Sequence, residues 1–371
     1  DGIYTYTVST SVKNIYNNNI YGLTAASGLV NGIRTNLGTN HIYKNNIYNL
    51  TNNTSASTVA LVNGVTLTAG VALYVYNNFI SDLKSPQSSS IDAVRGINIM
   101  SPTASSSVGL YYNTIYLNAV STGTNFGSSG IFHTVNATAT TAALDMRNNI
   151  IVNTSVPAGT GLTVAYRRSG TALENYSNLS NNNDFYAGIP SASNLIFYDG
   201  TNSDQTIADY KTRVSPRDDL SFSENPPFED IVNLPYDLHI KTTVPTQIES
   251  GGAPINSPIA ILDDFDGNTR NTTTPDIGAD EFNGLLSDLT PPLISYTPLM
   301  NTGSTNPRTL TAAITDASGV PTSGIGLPVL YWKIGINGSY AAATGSYVSG
   351  SNYQFTFGAG VVVGDTVFYY V

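Results

Sequence analysis

The chain has 371 residues, of which 15 are Lys or Arg and 25 are Asp or Glu; its net charge of −10 disfavours nucleic acid as a partner. Only 11% of the residues are charged and 41% are hydrophobic, which excludes an intrinsically disordered chain. Cys is absent and no apolar run is as long as about 18 residues, which excludes disulfides, Cys-ligated metals and a membrane-spanning helix.

From the N-terminal end onward, a motif of two Asn residues beside Ile and Tyr recurs at intervals of roughly 27 to 36 residues. Asn tolerates the left-handed backbone of a sharp turn, and equivalent Asn side chains can form hydrogen bonds between stacked coils. We therefore expect structural roles for Asn18, Asn45, Asn77 and Asn148. The copies of the motif are Ile15–Tyr21, Ile42–Tyr48, Val75–Ile80, Tyr111–Tyr116, Met146–Ile151 and a weaker Asn182–Tyr186.

A second motif, Gly followed by an aliphatic residue, lies between these copies and alternates apolar with variable positions. This period of two predicts half-buried strands. The aliphatic residues of the motif are predicted to stack in the interior: Ile33, Val65, Ile97, Ile131 and Leu162.

Two short strands per repeat, with no helical pattern between them, predict a parallel β-helix (β-solenoid) over residues 1–190. Ser- and Thr-rich segments of uneven length between the motifs are expected to be outward loops. An Asn-rich disordered tract is the alternative, but Ile, Val and Tyr recur at fixed places in the repeat.

Residues 191–283 are predicted to be an acidic module of irregular structure with a few short strands. Residues 191–290 hold 17 acidic and 5 basic residues, whereas residues 1–190 hold 6 and 8. Because a solenoid end exposes unpaired backbone and core, we expect this Pro-rich module to cap that end.

Within the module, three runs resemble the closing segment of secreted right-handed parallel β-helix surface proteins from Bacteroidetes-type bacteria. The runs are Asp237–Ile240, Asp264–Arg270 and Pro275–Phe282, and the upstream Asn-Asn-Ile repeats are similar to coils of the same family. The resemblance covers about residues 1–283. It implies a right-handed helix, an extracellular or bacterial cell-surface location, and often a large multidomain protein sorted by the type IX secretion pathway.

Residues 284–371 contain short strand-like runs separated by turns, which predict a β-sandwich. The segment resembles immunoglobulin-like or fibronectin-like spacer domains, and Trp332 is expected in its core. The first residue is Asp1 and the last run, up to Val371, is strand-like. We therefore expect this sequence to be a piece of a longer chain.

A calcium ion is one interpretation of Asp264, Asp266 and Asn268, whose alternate positions beside Gly267 have the opening spacing of a calcium loop. The alternative is a simple Asp/Gly turn with Arg270 paired to Asp280 or Glu281. No other cofactor is expected.

Catalytic residues are not predicted, because the few acids of the coils do not fall at matching positions of neighbouring coils, whereas glycoside hydrolysis needs paired carboxylates. These acids are Asp1, Asp82, Asp92, Asp145, Glu174 and Asp184. Arg167 and Arg168 are expected to be solvated.

The leading hypothesis for function is a non-enzymatic extracellular structural or adhesive protein, with the solenoid as a rod and the sandwich as a spacer. A polysaccharide-binding or polysaccharide-cleaving protein and a subunit of a self-assembling filament are the alternatives. The expected partners are surface glycans or other copies of the chain.

Overall fold

Strands from successive repeats pair in parallel and wind as a β-solenoid of about six turns, so the predicted all-β solenoid is confirmed. The computed structural model describes residues 1–6 and 12–371. These residues form two compact units, 1–287 and 288–371.

Four sheets run along the solenoid, one for each side of the coil. The eight-stranded sheet contains Ile3–Tyr6, Val30–Asn36, Val62–Leu67, Val94–Ile99, Ser128–His133, Thr163–Arg168, Asn194–Tyr198 and the antiparallel Ser203–Asp204. The five-stranded sheet contains Val12–Tyr16, Thr39–Tyr43, Ala72–Tyr76, Ser107–Tyr111 and Ala143–Arg147. The six-stranded sheet contains Asn19–Ile20, Asn46–Ile47, Phe79–Ser81, Thr114–Leu117, Ile150–Asn153 and Asp184–Tyr186. A three-stranded sheet contains Leu23–Ala25, Leu50–Asn52 and Leu83–Lys84.

The interior of the solenoid is a set of aliphatic stacks in which each residue lies over its equivalent in the next coil. In the eight-stranded sheet, Ile33 pairs with Val65, Val65 with Ile97, and Ile97 with Ile131. All four are fully buried. Burial of an aliphatic side chain contributes about 1.5–3 kcal/mol, so these stacks are a main source of stability.

Leu162 does not belong to this stack, and its prediction is wrong. Tyr166 pairs with Ile131 instead, and Leu162 is only half-buried, one residue before the strand Thr163–Arg168 begins. The sixth coil carries Ala165 where the earlier coils carry the motif Gly, so Gly161-Leu162 resembles the motif in a different register.

At the corner between the five- and six-stranded sheets, the two Asn positions of the repeat have separate roles. The first position of each pair has a left-handed backbone, with φ of 52° to 59°. The second position forms a buried side-chain ladder, in which each Nδ2 donates to Oδ1 of the next coil at 2.9–3.0 Å. The first positions are Asn17, Lys44, Asn77, Tyr112, Asn148 and Asn182. The ladder is formed by Asn18, Asn45, Asn78, Asn113, Asn149 and Asn183.

Asn18 and Asn45 therefore lie in the ladder, whereas Asn77 and Asn148 lie one residue before it. The sequence pattern did not separate the two positions because both carry Asn in most copies. Their chemistry differs: the first turns the chain and the second links the coils.

The last coil is closed by the helix Ile207–Val214, which the sequence analysis did not predict. Thr206 caps it by accepting a hydrogen bond from Asp209 N at 3.2 Å. Tyr210 and Val214 are buried against the aromatic residues of the final coil. The coils also extend beyond residue 190, because Asn194–Tyr198 still pairs in parallel with Thr163–Arg168.

The rest of the acidic module runs back along the outer face of the six-stranded sheet. Its buried residues contact the outward side chains of the coils, including Phe79, Tyr116 and Ile150. Its short strands are Phe228–Asp230 with Asp237–Ile240, and Pro245–Thr246 with Leu285–Leu286. The module thus covers a side of the solenoid as well as its end.

The second unit consists of two antiparallel sheets. One contains Leu293–Tyr296, Arg308–Thr315, Asn352–Phe357 and Ser346–Ser349, and the other contains Ala341–Thr344, Val329–Ile334 and Val367–Tyr370. Trp332 packs against a core formed by Leu310, Leu330, Phe355 and neighbours. In the described part of the chain, no helix has the length and apolarity needed to cross a membrane.

Candidate functional site

The loop that follows Ile261 carries the three residues predicted to bind calcium. Asp264 is fully buried, and its Oδ1 accepts hydrogen bonds at 2.7 Å from Gly267 N and Asn268 N. Its Oδ2 accepts from Asn268 Nδ2 at 3.1 Å and from Glu281 N at 3.0 Å. Gly267 has φ of 97°, which lets the chain fold around this carboxylate. The Asp264 carboxylate therefore holds the turn together.

The Asp266 side chain extends away from Asp264 toward His239, which lies on the strand Asp237–Ile240. His239 Nε2 lies 2.8 Å from Asp266 Oδ2, and its Nδ1 lies 2.5 Å from Asp237 Oδ1. Phe79, from a coil, contacts the imidazole edge-on with the ring centroids 5.0 Å apart. The structure thus brings Asp266 together with a His residue, on a surface shared by the module and the coils.

A third acid, Asp280, completes this cluster. One donor atom from each of His239, Asp266 and Asp280 lies within 4.8 Å of the others. Burial lowers the pKa of His239, but hydrogen bonds to Asp237 and Asp266 and the charge of Asp280 raise it above its ordinary value. Burial, aided by the charges of Asp264 and Asp266, raises the pKa of Asp280. Three carboxyl groups, those of Asp237, Asp266 and Asp280, are therefore gathered around one imidazole.

Arg270 fixes this part of the module to the coils. The side chain is buried, and its guanidinium carbon lies 3.8 Å from the centroid of the Tyr112 ring. Its Nη2 donates at 2.9 Å both to Asn77 Oδ1 and to Gly278 O, and its Nη1 lies 3.1 Å from Glu281. Burial lowers the pKa of Arg270, and the neighbouring Glu281 and Asp264 oppose that shift. Arg270 pairs with Glu281, one of the two acids that the sequence suggested.

The acids of the coils are used mainly in local ion pairs. Asp1 pairs with Arg34, Asp82 with Lys84, and Asp145 with Arg147, each at 2.7–2.8 Å. Asp184 is fully buried, and its Oδ1 accepts a hydrogen bond from Glu224 N at 2.8 Å.

On the outer face of the eight-stranded sheet, Asp92 lies between two Arg residues that are themselves buried. Arg95 Nη2 is 2.7 Å from Asp92, and Arg167 Nε is 3.7 Å from it. Arg167 is only 7% exposed and Arg168 only 1%, so the prediction that they are solvated is wrong. Rings from neighbouring coils cover this polar strip, since Phe132 lies 3.5 Å from the Arg95 guanidinium.

Tyr residues form rows on the outside of the five-stranded sheet. Tyr16, Tyr43 and Tyr76 stack coil upon coil with ring centroids 4.8–5.0 Å apart and ring planes within 3–4° of parallel. Sugars bind to the exposed faces of aromatic rings, but in this row the faces of neighbouring rings cover one another. The row presents ring edges and hydroxyl groups to solvent.

The sequence matches no protein-family model and has no significant similarity to a curated protein or to a solved structure. The sequence pattern did not indicate His239 and Asp280 as partners of Asp266. Their spacing gave a usable signal: Asp237 and His239 are two residues apart on one strand and so share a face. The sequence pattern did not show how the loop folds to bring Asp266 to that face.

Proposed function

We propose that this chain is an extracellular structural or adhesive protein of a bacterial cell surface. The solenoid would be a right-handed parallel β-helix serving as a stiff rod, and the second unit an immunoglobulin-like β-sandwich serving as a spacer. The Asn ladder carries this proposal, because one polar group in each coil is used to join that coil to the next. The sequence resemblance described above supports export, including by the type IX pathway.

The polar chemistry of the coils favours a structural role over catalysis. Asp1, Asp82, Asp92 and Asp145 each pair with a Lys or Arg side chain. A general acid and base for polysaccharide cleavage would instead need two carboxylates facing one groove. The stacked Tyr row likewise offers edges and hydroxyl groups, which suits broad, weak contact with surface glycans better than a deep sugar site.

The test combines a glycan array with assays for reducing ends and unsaturated uronates on a panel of polysaccharides. We expect weak, multivalent glycan binding on beads coated with the full chain, and no cleavage products. Beads coated with Tyr16→Ala/Tyr43→Ala protein should lose adhesion, and beads coated with the Tyr347→Ala variant in the second unit should not. Cleavage that disappears on replacing a single Asp would overturn the proposal.

A filament subunit is a second candidate, favoured by the first coil. Ile3–Tyr6, Val12–Tyr16, Asn19–Ile20 and Leu23–Ala25 each lie at the edge of their sheet in the described residues. A further coil can pair with such strand edges, whether it belongs to the same chain or to another copy. Light scattering and electron microscopy of the protein at increasing concentration test this candidate; particles that stay monomeric at every concentration would rule it out.

A further inference from the structure

We propose that His239, Asp266 and Asp280 bind a divalent transition metal of the zinc class. This site is independent of the proposed adhesive role. The three residues come from three segments of the acidic module: the strand Asp237–Ile240, the turn around Gly267 and the run Pro275–Phe282. A bound ion would therefore join these segments to one another where they cover the coils.

The geometry places three donor atoms around one point. One donor atom from each residue lies within 4.8 Å of the others, and His239 Nε2 is already 2.8 Å from Asp266 Oδ2. Zn²⁺ binds nitrogen and oxygen ligands at about 2.0–2.2 Å in tetrahedral sites, which separates neighbouring ligand atoms by about 3.3 Å. A bound ion would widen the His239–Asp266 contact by about half an ångström and would draw ligand atoms that lie up to 4.8 Å apart together by up to about 1.5 Å. Asp266 has room to move because its side chain is 47% exposed.

Asp280 contributes a largely buried carboxylate that accepts few hydrogen bonds. The residue is 7% exposed, yet in the described part of the chain one hydrogen bond reaches its carboxylate, from Ile240 N at 3.2 Å to Oδ2. A buried carboxylate is ordinarily satisfied by several donors or by a cation. Asp264, which is fully buried nearby, has four hydrogen bonds by comparison.

The chemical types of the three ligand atoms indicate which class of metal the site would bind. An imidazole nitrogen with two carboxylates suits Zn²⁺ and its neighbours in the first transition row, whereas Ca²⁺ takes six to eight oxygen ligands. Asp237 contacts the other imidazole nitrogen, at 2.5 Å from Nδ1. A carboxylate in that position holds the Nδ1 proton, as is common in zinc sites, and a bound ion would displace the Nε2 proton that faces Asp266. Water would complete the coordination shell on the exposed side.

The experiment measures Zn²⁺ and Ca²⁺ binding to the tag-free full chain by isothermal titration calorimetry, with Co²⁺ absorption spectra to report the ligand set. We expect one strong Zn²⁺ site per chain and much weaker binding of Ca²⁺. The variants His239→Gln and Asp266→Asn should each weaken Zn²⁺ binding about tenfold or more and alter the Co²⁺ spectrum. Both residues are partly exposed, so these variants should fold as the wild type does, which circular dichroism checks.

Two matched controls separate this site from ordinary surface binding. His41→Gln removes the other partly exposed His residue, and Asp263→Asn removes an acid of the same loop that pairs with Lys44. Both controls should bind Zn²⁺ like the wild type. The proposal is overturned if the wild type binds no Zn²⁺, if His239→Gln binds it unchanged, or if Ca²⁺ binds as tightly as Zn²⁺.

Discussion

The Asn113 side chain donates a hydrogen bond to Asn149 Oδ1 at 2.9 Å, across 36 residues of sequence and a single step of the solenoid. The same Nδ2 group donates to Val75 O at 2.8 Å, and Asn113 Oδ1 accepts from both Asn78 N and Asn78 Nδ2. One buried amide thus satisfies groups in the coils on both sides of its own.

Replacing Asn113 with Ala should lower the free energy of unfolding by about 2–4 kcal/mol, because several buried groups lose their partners together. Denaturant titration of the full chain, followed by circular dichroism, measures the loss. Asn18→Ala is the matched control. Asn18 lies at the edge of the ladder and is partly exposed, so its loss should be about 1 kcal/mol or less. Equal losses would show that the ladder adds nothing beyond isolated hydrogen bonds.

Gly96 lies where the backbones of two neighbouring coils approach closely. A Cβ atom there would lie 2.5 Å from Gly130 O and 2.7 Å from Ile115 Cγ2. We expect Gly96→Ala to destabilise the first unit by about 1–3 kcal/mol, since the carbonyl of the next coil has no room to move. Thermal unfolding measures the effect. Gly170→Ala is the control, because its nearest atoms lie 3.9 Å away or farther, and an equal loss there would contradict this explanation.

His133 is buried in the solenoid interior beside Arg168, whose Nη1 lies 2.7 Å from His133 Nδ1. Burial, together with the charge of Arg168, holds the pKa of His133 well below its ordinary value. The folded state therefore keeps the imidazole neutral, while the unfolded chain binds a proton below about pH 6.5. Stability should fall as the pH drops below that value.

Comparing the wild type with His133→Gln at pH 7.5 and pH 5.5 isolates this contribution. Gln retains an acceptor for Arg168 but does not titrate. The denaturation midpoint of the wild type should decrease more on acidification than that of the variant. Parallel decreases in the two proteins would mean that His133 does not account for the acid sensitivity.

The repeats allowed the solenoid to be predicted because the interior imposes the same requirement on every coil. Ile33, Val65, Ile97 and Ile131 occupy one environment and so carry one kind of side chain. Leu162 was misplaced because the sixth coil fills the same volume with the aromatic ring of Tyr166. A repeat pattern therefore predicts which positions face the interior while successive coils use similar side chains. The prediction fails in a coil where a side chain of different shape fills the same space.

The cluster around His239 was beyond prediction for a different reason. Asp237 and His239 share a strand face, which the sequence shows, but Asp266 reaches them only because Asp264 folds the intervening turn around its own carboxylate. Both residues are Asp, and the sequence alone does not reveal which one turns inward. The burial of Arg168 could not be predicted for the same reason. Its guanidinium contacts His133, Tyr166 and Asn175, which lie in different coils or loops and are brought together only by the fold.

Arg270 provides a test of how the acidic module is held on the coils. Its planar guanidinium stacks on Tyr112 and donates to Asn77 Oδ1 and Gly278 O in fixed directions, which the ammonium group of Lys does not reproduce. We expect Arg270→Lys to destabilise the module by about 2 kcal/mol or more, because acceptors that remain buried lose their donors.

Hydrogen–deuterium exchange followed by mass spectrometry locates this effect. Peptides from residues 251–282 should exchange faster in the Arg270→Lys variant, while peptides from the Asn ladder keep the protection of the wild type. Arg34→Lys is the matched control, since Arg34 pairs with Asp1 at a side-chain exposure of 36%. Its exchange should match the wild type throughout, because a surface ion pair contributes about 0–1 kcal/mol. Uniformly faster exchange in Arg270→Lys would show instead that the module and the coils unfold as one cooperative body.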